Sequence, residues 1–170
     1  MRPNSVLAIA FSLGLCACVT QDVQLDRRHV EGPSTRALMG RLSCKLPSFD
    51  LVDVRPYQGL GWINGRELLY PELASWIRDA LHGAATVDAN AQPLLIEINR
   101  AYIETHPSSH SFQLVLRVRA NDDSDTHWRV YRGNESGVTW WGNDAEFGEY
   151  VEDAGKSALG SLIKSEGNCS

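Results

Sequence analysis

The sequence predicts a mixed α/β domain, and three patterns predict it. Phe112, Leu114, Leu116, Val118 and Ala120 alternate with Ser111, Gln113, Arg117 and Arg119, which is the period of a strand in a sheet with one wet side. Leu73, Trp76, Ile77, Ala80 and Leu81 repeat at helical spacing, as do Phe147, Val151, Ala154, Ala158 and Leu162. The first of these helices stands between two strand-like runs, so it has the place of a crossover between parallel strands.

The elements follow in order. Phe49-Asp50-Leu51-Val52-Asp53-Val54-Arg55, stopped by Pro56, reads as the first strand. The stretch from Tyr57 to Arg66, with glycines at 59, 61 and 65, reads as a loop. The first helix then starts near Pro71, which suits a first turn, and exits at Gly83. Leu94, Ile96 and Ile98 mark the second strand, His106-Pro107-Ser108-Ser109 a hairpin loop, and residues 112–120 the third strand. A polar turn from Asn121 to Asp125 leads to the fourth strand, Trp128 to Arg132. Asp144 opens the final helix, with Lys164 at its negative end. The order β-α-β-β-β-α, with two helices packed on one face of a four-stranded mixed sheet, hides each of these apolar stripes.

The chain has 170 residues, enough for one domain with a sizeable core, and a formal net charge of −5, which removes the basic footprint of a nucleic-acid binder. Residues 1–17 form a leader: Arg2, then an apolar run from Val6 to Leu15 that is too short for a mature membrane span. Leu15-Cys16-Ala17-Cys18 resembles the lipobox of bacterial lipoproteins, which implies cleavage before Cys18, a lipid on its sulfur and a stable membrane anchor. The absence of Asp at the second mature position implies the outer membrane by the same resemblance. Residues 18–40 then read as a lipidated start and flexible tether, and 41–170 as the single periplasmic domain. Cys44 and Cys169 remain as a candidate disulfide, with two unpaired thiols as the alternative.

A family resemblance rests on several of these residues together. A lipobox, a strand ending in Asp53-Val54-Arg55, an amphipathic helix, the Ile98-Asn99-Arg100-Ala101-Tyr102-Ile103 segment, a well-alternating strand, Tyr131-Arg132-Gly133 and a last helix ending near Ile163 resemble the YajG group of small bacterial lipoproteins. The likeness runs over about residues 45–165. It implies a periplasmic α/β lipoprotein without an assigned reaction, similar to accessories of envelope transport or assembly.

No residue constellation specifies a reaction. Asp53 and Arg55, two apart on a strand, share a face, where a buried charge needs a partner. His106, His110 and His127 have no metal-ligand spacing, and Ser108, Ser109 and Ser111 have no orienting group that would make a nucleophile of them. The glycines at 59, 61 and 65 lack the spacing of a dinucleotide fingerprint. The expectation is therefore a binding protein and not an enzyme, with no cofactor and no metal. Its partners would be the membrane, through the anchor, and a protein of the envelope. Trp62, Arg66, Trp140 and Trp141 are the candidate contact surface, because loop aromatics and arginine dominate interfaces. An accessory subunit of an envelope assembly or transport complex is the first reading. A lipoprotein inhibitor or immunity protein against a cell-wall-degrading enzyme is the second.

Overall fold

The computed structural model describes residues 23–25, 30, 43–63, 65–122, 126–138 and 144–170. The described elements are β1 (Val23–Gln24), β2 (Cys44–Pro47), β3 (Phe49–Asp53), β4 (Gly59–Ile63), β5 (Arg66–Leu69), α1 (Leu73–Ala84), β6 (Thr86–Asp88), β7 (Leu94–His106), β8 (Ser109–Ala120), β9 (Arg129–Gly137), α2 (Asp144–Glu166) and β10 (Asn168–Cys169).

The fold is mixed α/β with strands in three sheets. The largest has the order β3-β7-β8-β9, with β3 parallel to β7 and the other pairs antiparallel. Leu94, Ile96, Ile98, Ala101 and Ile103 of β7 and Phe112, Leu114, Leu116 and Val118 of β8 are buried on its inner face. The inner residues of β7 change from even to odd numbers at a bulge between Ile98 and Arg100. The extra residue there keeps one side of a thirteen-residue strand facing the core.

The two helices described above both cover this face. Leu73, Trp76, Ile77 and Leu81 of α1 are buried, as are Phe147, Val151, Ala154, Ala158 and Leu162 of α2. Two glycines set how closely these parts approach. A Cβ on Gly133 of β9 would lie 1.7 Å from the Ala154 carbonyl oxygen, so α2 crosses the sheet where a side chain is missing. A Cβ on Gly155 would lie 2.2 Å from the Trp76 ring, which seats α1 on α2. At the end of α2, Arg129 donates to Glu166 at 2.6 Å, and the Tyr131 hydroxyl donates to the same carboxylate. The Tyr131-Arg132-Gly133 segment is therefore a packing device: the tyrosine and the glycine both serve the docking of α2.

The single four-stranded sheet expected from sequence is incomplete. A second sheet has the order β1-β5-β4 and a third the order β10-β2-β6. Within the stretch from Tyr57 to Arg66, expected as a loop, Gly59–Ile63 forms β4 and pairs antiparallel with β5, which begins at Arg66, because the glycines allow a tight reversal and a close approach rather than disorder. Val23–Gln24 pairs in parallel with β5, and Val23, Leu25 and Val30 are buried, so part of the expected tether is built into the core. Helix α1 runs through Gly83, the expected exit, to Ala84, since Ala85 N–H still reaches the Leu81 carbonyl at 3.2 Å. The third strand of the sequence reading begins three residues earlier, and the fourth continues to Gly137. Cys18 and the leader lie outside the described residues.

Candidate functional site

The hairpin end of the molecule carries the exposed part of the expected contact surface. Ile63 pairs with Arg66, next to Gly65, and Trp62 pairs with Glu67. Leu60, Ile63 and Leu68 turn inward and are buried, which leaves Trp62 on the outside, 53% exposed. Gly65 has φ +75°, a left-handed conformation that glycine adopts without strain. Gly61, at φ +121°, stands where a Cβ would be 3.1 Å from the Ile103 carbonyl oxygen, so the absent side chain brings β4 against the second half of β7. The Thr105 hydroxyl donates to the Trp62 carbonyl at 3.2 Å and fixes that approach. The β7–β8 turn at Pro107 and Ser108 and the exposed Val138 after β9 share this end, because His110 pairs with Thr105 on one side and with Gly137 on the other.

Of the other expected contact residues, Arg66 is half-buried at the turn and makes contacts of its own. Trp140 and Trp141 lie outside the described residues.

Asp53 and Arg55 pair with each other. The Arg55 guanidinium donates from Nε to Oδ1 at 2.9 Å and from Nη2 to Oδ2 at 2.7 Å, a two-point ion pair with the arginine side chain only 4% exposed. Burial by itself pushes the Asp53 carboxyl up, but the hydrogen bonds and positive charge of Arg55 outweigh it and hold the pKa below the usual value. With both charges engaged at the end of β3, the pair fastens the strand end.

The histidines are not brought together. His106 is exposed at the β7–β8 turn, His110 is buried with its ring 5.9 Å from that of Phe147, and His127 is exposed beyond the other end of β8. Among the described residues no three His, Cys, Asp or Glu side chains converge as metal ligands. Cys44 and Cys169 stand directly opposite each other in the β2–β10 pairing and are joined in a disulfide that spans 125 residues of sequence.

The outer face of the main sheet carries a polar network beside the exposed Val52 and Val130. Tyr102 donates to Gln113 at 2.8 Å, Gln113 donates to Glu104 at 3.1 Å, and Arg117 binds Glu97 at 2.5 Å. The guanidinium groups of Arg117 and Arg119 lie 4.8 and 5.2 Å from the Trp128 ring centroid. A further charged cluster, not expected from sequence, lies on α2. Lys156 binds Glu152 and Asp153, each at 2.8 Å, with the Lys156 and Glu152 side chains buried. Burial pushes the Lys156 pKa down, and the hydrogen bonds and charges of Asp153 and Glu152 more than reverse this. The Glu-to-Lys spacing of four residues was the available signal.

No protein-family model and no curated protein matches the sequence. Solved structures give distant likenesses. The chain is similar to an uncharacterized protein at TM-score 0.41 and 5% identity, over 71% of this chain and 88% of that one. It is similar to a hypothetical protein from Chlamydia trachomatis at TM-score 0.37 and 12% identity, over 70% and 95%. A minor lipoprotein from Acinetobacter baumannii gives TM-score 0.38 and 10% identity, over 74% and 97%. These values lie below the level at which a fold or an activity is transferred.

Proposed function

We propose that this chain is a lipid-anchored protein of the bacterial envelope, held at the periplasmic face of the outer membrane, and that it works by binding as an accessory in an assembly or transport complex. The Cys44–Cys169 bridge carries this reading, because lasting disulfides belong to oxidising compartments such as the periplasm. Leu15-Cys16-Ala17-Cys18 supports it from the sequence, since a leader closed by that motif is the substrate pattern for lipid attachment at Cys18. The YajG-like arrangement of motifs points the same way. Binding is favoured over catalysis because the charged pairs described above are engaged with one another in packing, while the hairpin offers an exposed tryptophan.

Metabolic labelling with palmitate tests the anchor. The wild-type protein incorporates label and fractionates with the outer membrane, and Cys18→Ser does neither. An unlabelled wild-type protein would overturn the reading. Crosslinked capture from envelopes tests the role. Recovery of a transport or assembly component supports an accessory, and recovery of a cell-wall-degrading enzyme replaces that with an inhibitor.

A further inference from the structure

We infer that the turn end of the β4–β5 hairpin, led by Trp62, lies against the phospholipid headgroups of the membrane that holds Cys18. The inference rests on the lipid-anchor reading and goes beyond it by giving the domain a fixed orientation. It follows from register and from length. β1 is parallel to β5, with Val23 opposite Leu68 and Gln24 opposite Leu69. The chain thus enters β1 from the side of Gly65 and Arg66, which is the turn. Five residue steps separate Cys18 from Val23, and a fully extended chain covers at most about 17 Å in five steps. The turn itself stands three residues beyond Leu68 toward that side, roughly 10 Å of strand. A lipid-bearing sulfur at headgroup level therefore leaves no more than about 7 Å between turn and headgroups along this direction, and less for any path short of full extension.

What stands at this end suits an interface. Trp62 is 53% exposed and Val138 62% exposed, although Leu60, Ile63 and Leu68 of the hairpin are buried. A tryptophan with one side on protein and the other free is the side chain most often found at the headgroup level, where its ring is amphipathic. A short tether and an interfacial aromatic also act together, because the first holds the second at high local concentration.

The test uses the full-length acylated protein in vesicles of phosphatidylethanolamine and phosphatidylglycerol, with and without brominated phosphatidylcholine. Emission from Trp62 is taken as the difference between wild type and Trp62→Phe. Emission from Trp128, at the opposite end of the main sheet, is taken from Trp128→Phe. The expected result is loss of about half the Trp62 emission to bromine placed high on the acyl chains, with Trp128 unaffected. Protein that floats with the vesicles while Trp62 stays unquenched overturns the orientation and leaves the anchor standing. Equal quenching of both residues also overturns it, since the domain then has no preferred side. Protein that carries no palmitate and does not float overturns the anchor, and the orientation with it.

Discussion

Two small sheets flank the main one, and each takes in one end of the described chain by a different means. In β1-β5-β4 the terminal strand is held by burial: Val23 and Leu25 are 5% and 2% exposed, and Leu25 N–H donates to the Leu69 carbonyl at 2.9 Å. In β10-β2-β6 the terminal strand buries little, with Asn168 exposed and Cys169 half-buried, and a covalent bond to Cys44 holds it. Where a two-residue strand brings apolar side chains to the core, packing is enough. Where it brings an asparagine and a cysteine, sulfur does the holding.

The largest effect should come from removing the bond. Reduction, or Cys44→Ser with Cys169→Ser, opens a loop of more than a hundred residues, which in the chain-entropy model lowers stability by about 4–5 kcal/mol. Urea unfolding with and without reductant measures it, and a change below about 1 kcal/mol would place the hold in packing on this side as well. Leu25→Ala attacks the other sheet and should cost about 3 kcal/mol. Hydrogen exchange then separates local from global loss: the Leu25 amide exchanges fast, while those of Ile96 and Leu116 in the main sheet stay protected.

Gly65→Ala is smaller, about 1 kcal/mol, because nothing lies within 4 Å of the added methyl and only the left-handed φ resists it. Thermal melting detects it, and an unchanged Tm would mean that the turn relaxes at no cost. Asp53→Asn, in the main sheet, serves as the reference outside both. The folded Asp53 pKa is lower than the unfolded one, so this carboxylate stabilises fully above the ordinary carboxylate range, and its contribution disappears as pH falls through the folded value. Below that point wild type and variant should converge in stability, and above it the variant should be the less stable, because Asn leaves the buried Arg55 charge without its counterion.

The long elements were legible in the sequence and the short ones were not, for physical reasons. Residues 112–120 alternate without interruption, and the stripes of α1 and α2 each cover two turns or more, so period alone finds them. In β7 the period fails at Asn99, where the bulge reverses parity, and the strand looks finished at Ile98 although Ala101 and Ile103 continue its inner face. The hairpin was hidden by its glycines, which punctuate residues 59–65 like a loop. The signal in their midst was Asn64-Gly65 between two apolar runs, the dipeptide most typical of two-residue hairpins. β1, β6 and β10 have two or three residues each and carry no period. In the candidate site Trp62 stood out by residue type, but only the register of β1 against β5 showed on which side of it the chain arrives.

The covalent ring closed by Cys44 and Cys169 contains both described helices and all of the main sheet. A protease that nicks any single peptide bond inside that ring produces two fragments that still travel as one molecule. On a non-reducing gel such a molecule keeps its mass, and only a thiol separates the pieces. Damage to one surface turn, such as that at Pro107, therefore releases no part of the domain.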